Sequence, residues 1–298
     1  MSGPVQPPQE NKMGVMPIRR LLLTMSGPMM VSMLIQALYN VVDSMFVSYI
    51  SEGALTAVSL AYPMQNLMIA VATGTGVGVN ALLSRNLGEK NFEMANRAAG
   101  NAIFLGVVSF AVFALVGAVG SRLYFTVQVD DPEIIAYGVD YLSVIMVLSV
   151  GCFGQVLLSR LLQSTGKTFY SMVIQLVGAG LNIVLDPIMI FGLLGCPAMG
   201  VAGAALATVI SQVAGTILGL YYNLRKNPEI RFAWTYLRPS KPVIARIYGV
   251  GIPSILLQTV SSLLIFGLNQ ILVVFSETAT AVYGVYFKLQ GFAFLPII

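Results

Sequence analysis

Long apolar stretches separated by short polar segments form the main pattern along this chain. A helix needs about 20 mostly apolar residues to cross a bilayer, and eight stretches reach roughly that length. They predict membrane-spanning helices over residues 21–50, 57–83, 99–120, 134–162, 169–191, 201–220, 247–275 and 280–298. The pattern is typical of an all-α polytopic membrane protein.

The composition agrees with this pattern and excludes several functions. Hydrophobic residues make up 57% of the chain and charged residues 9%, whereas soluble domains carry about 25% charged residues. The sequence contains no histidine, which excludes histidine-based metal sites, catalytic triads and proton relays. No other nucleophilic or acidic constellation of an enzyme is visible, so we expect no enzymatic activity and no cofactor.

Basic residues are concentrated in alternate connections between the predicted helices. Cytoplasmic loops of membrane proteins are enriched in lysine and arginine, so topology explains the pI near 9.1 and nucleic acid is not an expected partner. We therefore expect the N-terminus in the cytoplasm. The basic connections carry Arg19, Arg20, Arg85, Lys90, Arg97, Arg160, Lys167, Arg225, Lys226, Arg231, Arg238, Lys241 and Arg246.

The chain also contains a sparse internal repeat. Shifting it by 225 residues aligns Pro28 with Pro253 and Ser51 with Ser276. The first and seventh predicted helices then cross the membrane in the same direction, as in transporters built from parallel repeats. If six helices form one unit, the second unit has only two helices here, so we expect this chain to be part of a twelve-helix protein.

The repeat divides the chain into four segments. The first is a polar, proline-rich tail without the apolar core of a signal peptide. We expect a disordered cytoplasmic tail over residues 1–17, a six-helix N-terminal lobe over 18–225, a cytoplasmic interlobe loop over 226–246, and the first two helices of a C-terminal lobe over 247–298.

Two aspartates lie inside apolar stretches, Asp43 in the first and Asp186 in the fifth. A carboxylate at the centre of a membrane helix costs about 2.5–3.5 kcal/mol on insertion scales. A site for a cation or a proton is therefore the default interpretation of both residues. A purely structural pairing of the two carboxyl groups is the alternative.

Other oxygen-bearing side chains are predicted at a similar depth. At 1.5 Å per helical residue, Asp43, Asp186 and Thr208 lie about 9–13 Å below the outer surface, and Asp140 and Tyr141 lie near that level unless Asp140 is interfacial. Such hard oxygen ligands suit Na⁺ or a proton rather than zinc or copper. The polar residues that share a helix face are Gln36, Tyr39, Asn40 and Asp43 in the first helix, Tyr141 and Gln155 in the fourth, and Gln175, Asn182 and Asp186 in the fifth.

Three glycines in the second apolar stretch alternate with other residues, at Gly74, Gly76 and Gly78. The spacing looks like a fragment of a nucleotide-binding loop, but its apolar surroundings predict a helix. Small residues allow membrane helices to approach closely. We therefore interpret these glycines as a helix-packing surface.

Three sequence blocks resemble the multidrug and toxic compound extrusion (MATE) family. They are the Tyr39–Asp43 block, the Asn182–Pro187 block and the Gly200–Thr208 block. The resemblance extends from about residue 16 to the end of the chain. It implies a MATE-like fold, with a six-helix N-lobe and here the first two helices of a second lobe, around a central cavity. Because the seventh helix lacks the acidic residue of some relatives, the chain looks more like the DinF- or MepA-like bacterial branches.

The resemblance also implies roles for individual residues. It implies a cation or proton site formed by Asp43, Asn182, Asp186 and Thr208, whose oxygens could coordinate Na⁺. It places Tyr39 and Tyr141 beside this site. The residues implied to line the substrate cavity are Gln36, Asn40, Gln155 and Gln175.

The function implied is secondary active multidrug efflux. An antiporter in the inner (plasma) membrane would export organic cations or other xenobiotics in exchange for Na⁺ or H⁺ by alternating access. We expect a small-molecule drug and membrane lipid as partners, no obligate protein partner, and a monomer at full length. A lipid-linked oligosaccharide flippase of the same superfamily is the alternative, and it would require a cationic groove.

The charge distribution predicts which connections share one side of the membrane. Cysteines introduced at Lys90, Lys167 and Lys241 should react only with reagents that reach the cytoplasm, and those at Glu52 and Asp131 only from outside. Accessibility labelling in intact cells measures this. Labelling of positions 241 and 52 from the same side would contradict the six-helix repeat.

Overall fold

A computed structural model of the protein describes residues 16–275, without the side chains of 261–263 and 265–275. The eighth predicted helix, 280–298, lies outside the described residues, and so do residues 1–15 of the predicted tail. Helices account for most of the described chain, and no strand occurs between residues 16 and 275. The predicted all-α class is therefore confirmed.

The helices follow one another with short connections. We number the α-helices α1 (Ile18–Ser48), α2 (Glu52–Gly88), α3 (Phe92–Gln128), α4 (Pro132–Val147), α5 (Val150–Ser164), α6 (Thr168–Phe191), α7 (Gly200–Lys226), α8 (Trp234–Leu237) and α9 (Lys241–Phe275). The helix α6 ends at its C-cap Gly192, whose φ of 74° is a left-handed conformation that favours glycine, and a 3₁₀ turn, Leu193–Gly195, follows it.

The helices α1, α2, α3, α6 and α7 and the described part of α9 are each long and apolar enough to cross a membrane. The helices α4 and α5 pass the same test together and are bent by 45° where they meet, which gives up to seven spans in the described chain. The number predicted up to residue 275 is thus confirmed, but the predicted fourth span, 134–162, is a broken one.

Beyond the bend, α5 packs closely against α7. A Cβ on Gly151 would lie 2.9 Å from Cβ of Gln212, and the Thr216 hydroxyl donates a hydrogen bond to the Gly151 carbonyl at 2.9 Å. Since the bend interrupts the helix, Tyr141 and Gln155 do not lie on one continuous helical face. The prediction that they share a face is wrong.

The connections define two sides of the bundle. We name residues 227–240 the connector. The basic side is the side that carries the connector and the α2–α3 turn. The opposite side is the side that carries the α1–α2 turn. The predicted interlobe loop is shorter than expected, because α9 already begins at Lys241 and the connector contains the short helix α8. Two apolar clusters fill the interior. The cluster nearer the basic side includes Leu83, Ala99, Leu161, Ile230 and Ile247, and the other includes Val47, Phe125, Phe153, Ile190 and Ala204.

The helices α2 and α9 touch through glycine. A Cβ on Gly78 would overlap with the carbonyl oxygen of Ile247, and one on Gly74 would lie 2.9 Å from the carbonyl oxygen of Gly251. On another face of α2, a Cβ on Gly76 would lie 2.7 Å from Cγ of Arg160. The prediction that these glycines permit close helix packing is confirmed.

Adding one methyl group at Gly78 should destabilise the contact between α2 and α9. Backbone cannot move aside as a flexible side chain can, so Gly78→Ala should lower the free energy of unfolding by about 1–3 kcal/mol. Gly180→Ala is the matched control, because a Cβ there meets nothing within 4 Å and alanine favours helix. Thermal unfolding in detergent compares the two variants. Equal unfolding temperatures would contradict the described contact.

Candidate cation site

Asp43 and Asp186 lie close together although they belong to different helices. Asp43 projects from α1 and Asp186 from α6, and α6 packs against both α1 and α7. The two carboxyl groups are within hydrogen-bonding reach of each other. The two acidic side chains therefore meet near the last turns of α6, in the half of the bundle nearer the opposite side.

The amide of Asn182 links α6 to α7 at this place. Its Nδ2 donates to Asp186 Oδ1 at 3.2 Å and to Thr208 Oγ1 at 3.3 Å. The two helices can approach because residue 203 is glycine, where a Cβ would overlap with the Met189 carbonyl. Asn182, Asp186 and Thr208 are all buried, and Asp186 is 0% exposed.

Three buried oxygen atoms of this cluster have no hydrogen-bond donor in the described part of the chain. They are Asp43 Oδ1, Asn182 Oδ1 and Asp186 Oδ2. Buried oxygens in native proteins are nearly always paired, and an orphaned one points to a bound water, ion or proton. No lysine or arginine among the described residues acts electrostatically on either carboxyl group.

Two tyrosines enclose the cluster. Tyr39, one turn before Asp43 in α1, lies near Thr208 and is close enough to both carboxyl groups to interact with them electrostatically. Tyr141 of α4 is 2% exposed, and its hydroxyl lies 3.5 Å from Gln65 Oε1. Tyr141 is also near enough to Asp43 and Asp186 to interact with them electrostatically.

The chemistry of the cluster follows from its charge. Two carboxyl groups in contact and away from water cannot both stay ionised without a positive charge between them. A proton held by one carboxyl group supplies that charge, and so does Na⁺ coordinated by the unpaired carboxylate and amide oxygens. Hard oxygen donors fit either cation. Within residues 16–275, no three acidic, cysteine or histidine side chains form a group that could hold a metal ion, so a site here would also need the amide and hydroxyl oxygens.

Comparison with known proteins places the chain in a family. Residues 28–188 match the MatE family model, which is more than half of the chain. The chain belongs to the MatE family. This match contains most of α1, with Asp43, and most of α6, with Asp186.

Individual MatE relatives and structures agree with this membership. The multidrug export protein MepA of Staphylococcus haemolyticus is 27% identical over 281 residues, which cover 94% of this chain and 61% of that protein. An outward-facing multidrug resistance MATE family transporter of the MOP superfamily matches with a TM-score of 0.87 and 27% identity, over 94% of this chain and 61% of that one. A MATE transporter in complex with MaL6 matches with a TM-score of 0.89 and 28% identity, over 94% and 62%.

These matches confirm the MATE-like fold predicted from the sequence, and MepA proteins are among the relatives that the chain resembles. The chain spans about 61% of the length of the MepA relative. It is a multi-pass membrane protein of this family.

The residues predicted to line a substrate cavity lie at different distances from the carboxyl groups, and Asn40 is only three residues before Asp43. Gln36 and Asn40 are exposed on α1. Gln155 donates to Gln175 Oε1 at 3.3 Å, and this pair packs between α6 and α7 against Gly178. Along α6, Gln175 precedes Asp186 by 11 residues, or about 16 Å. Their roles in substrate binding stay predictions.

Two polar residues near the cluster remain to be described: Asp140, which was expected at a similar depth unless it is interfacial, and Gln65. Asp140 is exposed on α4, whereas its neighbour Tyr141 points inward. Gln65, in the middle of the apolar part of α2, was not predicted as a site residue although it is half-buried and contacts Tyr141. The sequence contained an indication of this role, because Gln65 is a polar residue about 20 Å from the start of a membrane-spanning helix.

A separate cavity of about 330 Å³ lies at the basic side, between the end of α2 and the start of α9. It is lined by Leu82, Arg85, Asn86, Glu89 and Arg246. Arg85 pairs with Glu89 at 2.9 Å, and both side chains are largely exposed. This cavity lies at the basic side, whereas the carboxyl groups lie nearer the opposite side. The cation site is therefore indicated by its unpaired buried oxygens and not by a cavity.

Proposed function

We propose that this protein is a secondary active multidrug efflux antiporter that exchanges organic cations or other xenobiotics for Na⁺ or H⁺. The observation that supports this most directly is the contact between the buried carboxyl groups of Asp43 and Asp186, which need a positive charge. The names of the relatives support the drug part of the proposal, since MepA is a multidrug export protein. Exchange and coupling rest on the chemistry of the site.

The proposed mechanism is competition for one charge. When Na⁺ or a proton occupies the cluster, it balances one of the two negative charges, the repulsion is relieved, and α1 stays packed against α6. When it leaves, the two negative charges repel each other and attract a cationic drug into the same lobe. A ligand shifts a conformational equilibrium only through its different affinity for the two states. Binding of the coupling cation and of the drug would therefore favour opposite orientations of the transporter.

We further propose that the protein acts in the plasma membrane with its N-terminus in the cytoplasm. Under that orientation the carboxyl cluster lies in the outer half of the bilayer. We expect it to need no cofactor beyond the coupling ion and no obligate protein partner. As a transporter, it would carry out no covalent chemistry on its substrate.

The flippase alternative requires cations in the membrane interior to hold a pyrophosphate. Arg160 is the side chain to consider, because it is partly buried in α5. Its Nη1 donates to Gln163 Oε1 at 3.1 Å, and its stem packs on Gly76 of α2. One arginine four residues from the end of its helix is a weak basis for a pyrophosphate groove, so the antiporter remains the favoured proposal.

Removing either carboxyl charge should abolish coupled transport. Asparagine keeps the size of aspartate but cannot change charge, so Asp43→Asn and Asp186→Asn should each reduce gradient-driven efflux to background. Expression and folding should stay near wild type. Drug flux in proteoliposomes under imposed Na⁺ and pH gradients measures this, using the complete gene product.

Asp140→Asn is the matched control, because Asp140 is exposed on α4 and lies outside the cluster. It should transport nearly as well as the wild type. Wild-type flux from a variant that combines Asp43→Asn with Asp186→Asn would disprove the coupling site. Loss of flux in the Asp140 variant alone would move the site to α4.

A further inference from the structure

The connector is held firmly against α3. The backbone N–H of Arg231 donates to Asn96 Oδ1 at 2.7 Å, and that of Ser240 donates to Asn101 Oδ1 at 2.9 Å. Between these two bonds, the carbonyl of Tyr236 lies so close to Gly100 that a Cβ there would overlap with it. Ile230 anchors the beginning of the connector in the core, with 4% exposure. The connector therefore has a fixed depth along α3.

At that depth, the surface of α3 changes from charged to apolar. The first turns of α3 carry the exposed ion pair of Glu93 and Arg97, at 2.9 Å. From residue 99 to residue 120 the helix carries no charged residue. The connector contacts α3 at residues 96, 100 and 101, on both sides of this transition. Since a charged-to-apolar transition marks the surface of the bilayer, the connector lies at headgroup level.

The exposed side chains in and beside the connector include an aromatic ring and three cations. Trp234 is 87% exposed, and Arg231, Arg238 and the first residue of α9, Lys241, are exposed near it in the sequence. No ion pair involves these three cations in the described part of the chain. The only acidic residue from 227 to 241 is Glu229, which interacts instead with Lys167 at the α5–α6 turn.

We propose that the connector is an interfacial anchor that binds anionic phospholipid. Trp234 would insert between headgroups, where tryptophan is enriched because its ring is apolar and its N–H is polar. Arg231, Arg238 and Lys241 would contact the lipid phosphates. Anchoring would fix the first turn of α9 relative to the membrane, so this lipid contact goes beyond the cation site and does not depend on it.

Trp234 is the only tryptophan of the chain, so its fluorescence reports the position of the connector directly. The 298-residue chain would be reconstituted in phosphatidylcholine vesicles, with and without phosphatidylglycerol, and exposed to two quenchers. Lipids brominated near the headgroup should quench strongly, iodide in the buffer only weakly, and bromolipid quenching should rise with phosphatidylglycerol. Quenching by iodide as strong as for free tryptophan, without quenching by bromolipid, would overturn the anchor.

Charge variants test the preference for anionic lipid. Each cation should contribute about fivefold to that preference, or about 1 kcal/mol. The variant that combines Arg231→Gln, Arg238→Gln and Lys241→Gln should therefore lose the dependence on phosphatidylglycerol. The control combines Lys90→Gln, Arg225→Gln and Lys226→Gln, which removes the same charge from the basic side outside the connector. An equal loss in both variants would disprove specific binding by the connector, and so would displacement by inorganic phosphate, which would indicate a free anion site.

Discussion

The repulsion between the carboxyl groups of Asp43 and Asp186 is the constraint on which the rest of this structure depends. Both groups are held against each other, and no basic side chain in the described part of the chain compensates their charge. The like-charge repulsion of two buried carboxylates is too large to persist unrelieved. The compensating positive charge that we propose comes from solution, as a proton or as Na⁺, and under that proposal the protein would respond to the gradients of those ions.

Small residues bring the parts of the molecule close enough for this constraint to act. Gly203 lets α7 approach α6, which places Thr208 beside Asn182. Near the basic side, Gly78 lets α9 lie directly on α2. The carboxyl site and the α2–α9 contact are thus built from the same kind of helix packing, at opposite ends of the bundle.

The sequence was sufficient to predict the helical class and the approximate positions of the spans up to residue 275. It also singled out Asp43, Asn182 and Asp186, which the structure brings together, and their role in cation binding stays a prediction. Apolar length determines spans, and buried carboxylates are so costly that their positions alone indicate a site. The break after α4 escaped prediction because no proline marks it in the sequence. Next to the break, Gly151 packs closely against α7, a contact that the sequence does not reveal. Gln65 escaped because a lone polar residue gives no sign of its partner, and the docking of the connector onto Asn96 and Asn101 depends on contacts about 135 residues apart in the chain.

The protonation state of the two aspartates in the absence of Na⁺ tests this account most directly. Infrared spectroscopy with labelled aspartate detects the carbonyl band of a protonated carboxyl group. At neutral pH without Na⁺, the account predicts one such band in the wild-type protein and none in the variant that combines Asp43→Asn with Asp186→Asn. Addition of Na⁺ should remove the band if Na⁺ is the coupling ion and leave it unchanged if the proton is. The absence of a protonated carboxyl group in Na⁺-free wild-type protein would contradict the central claim.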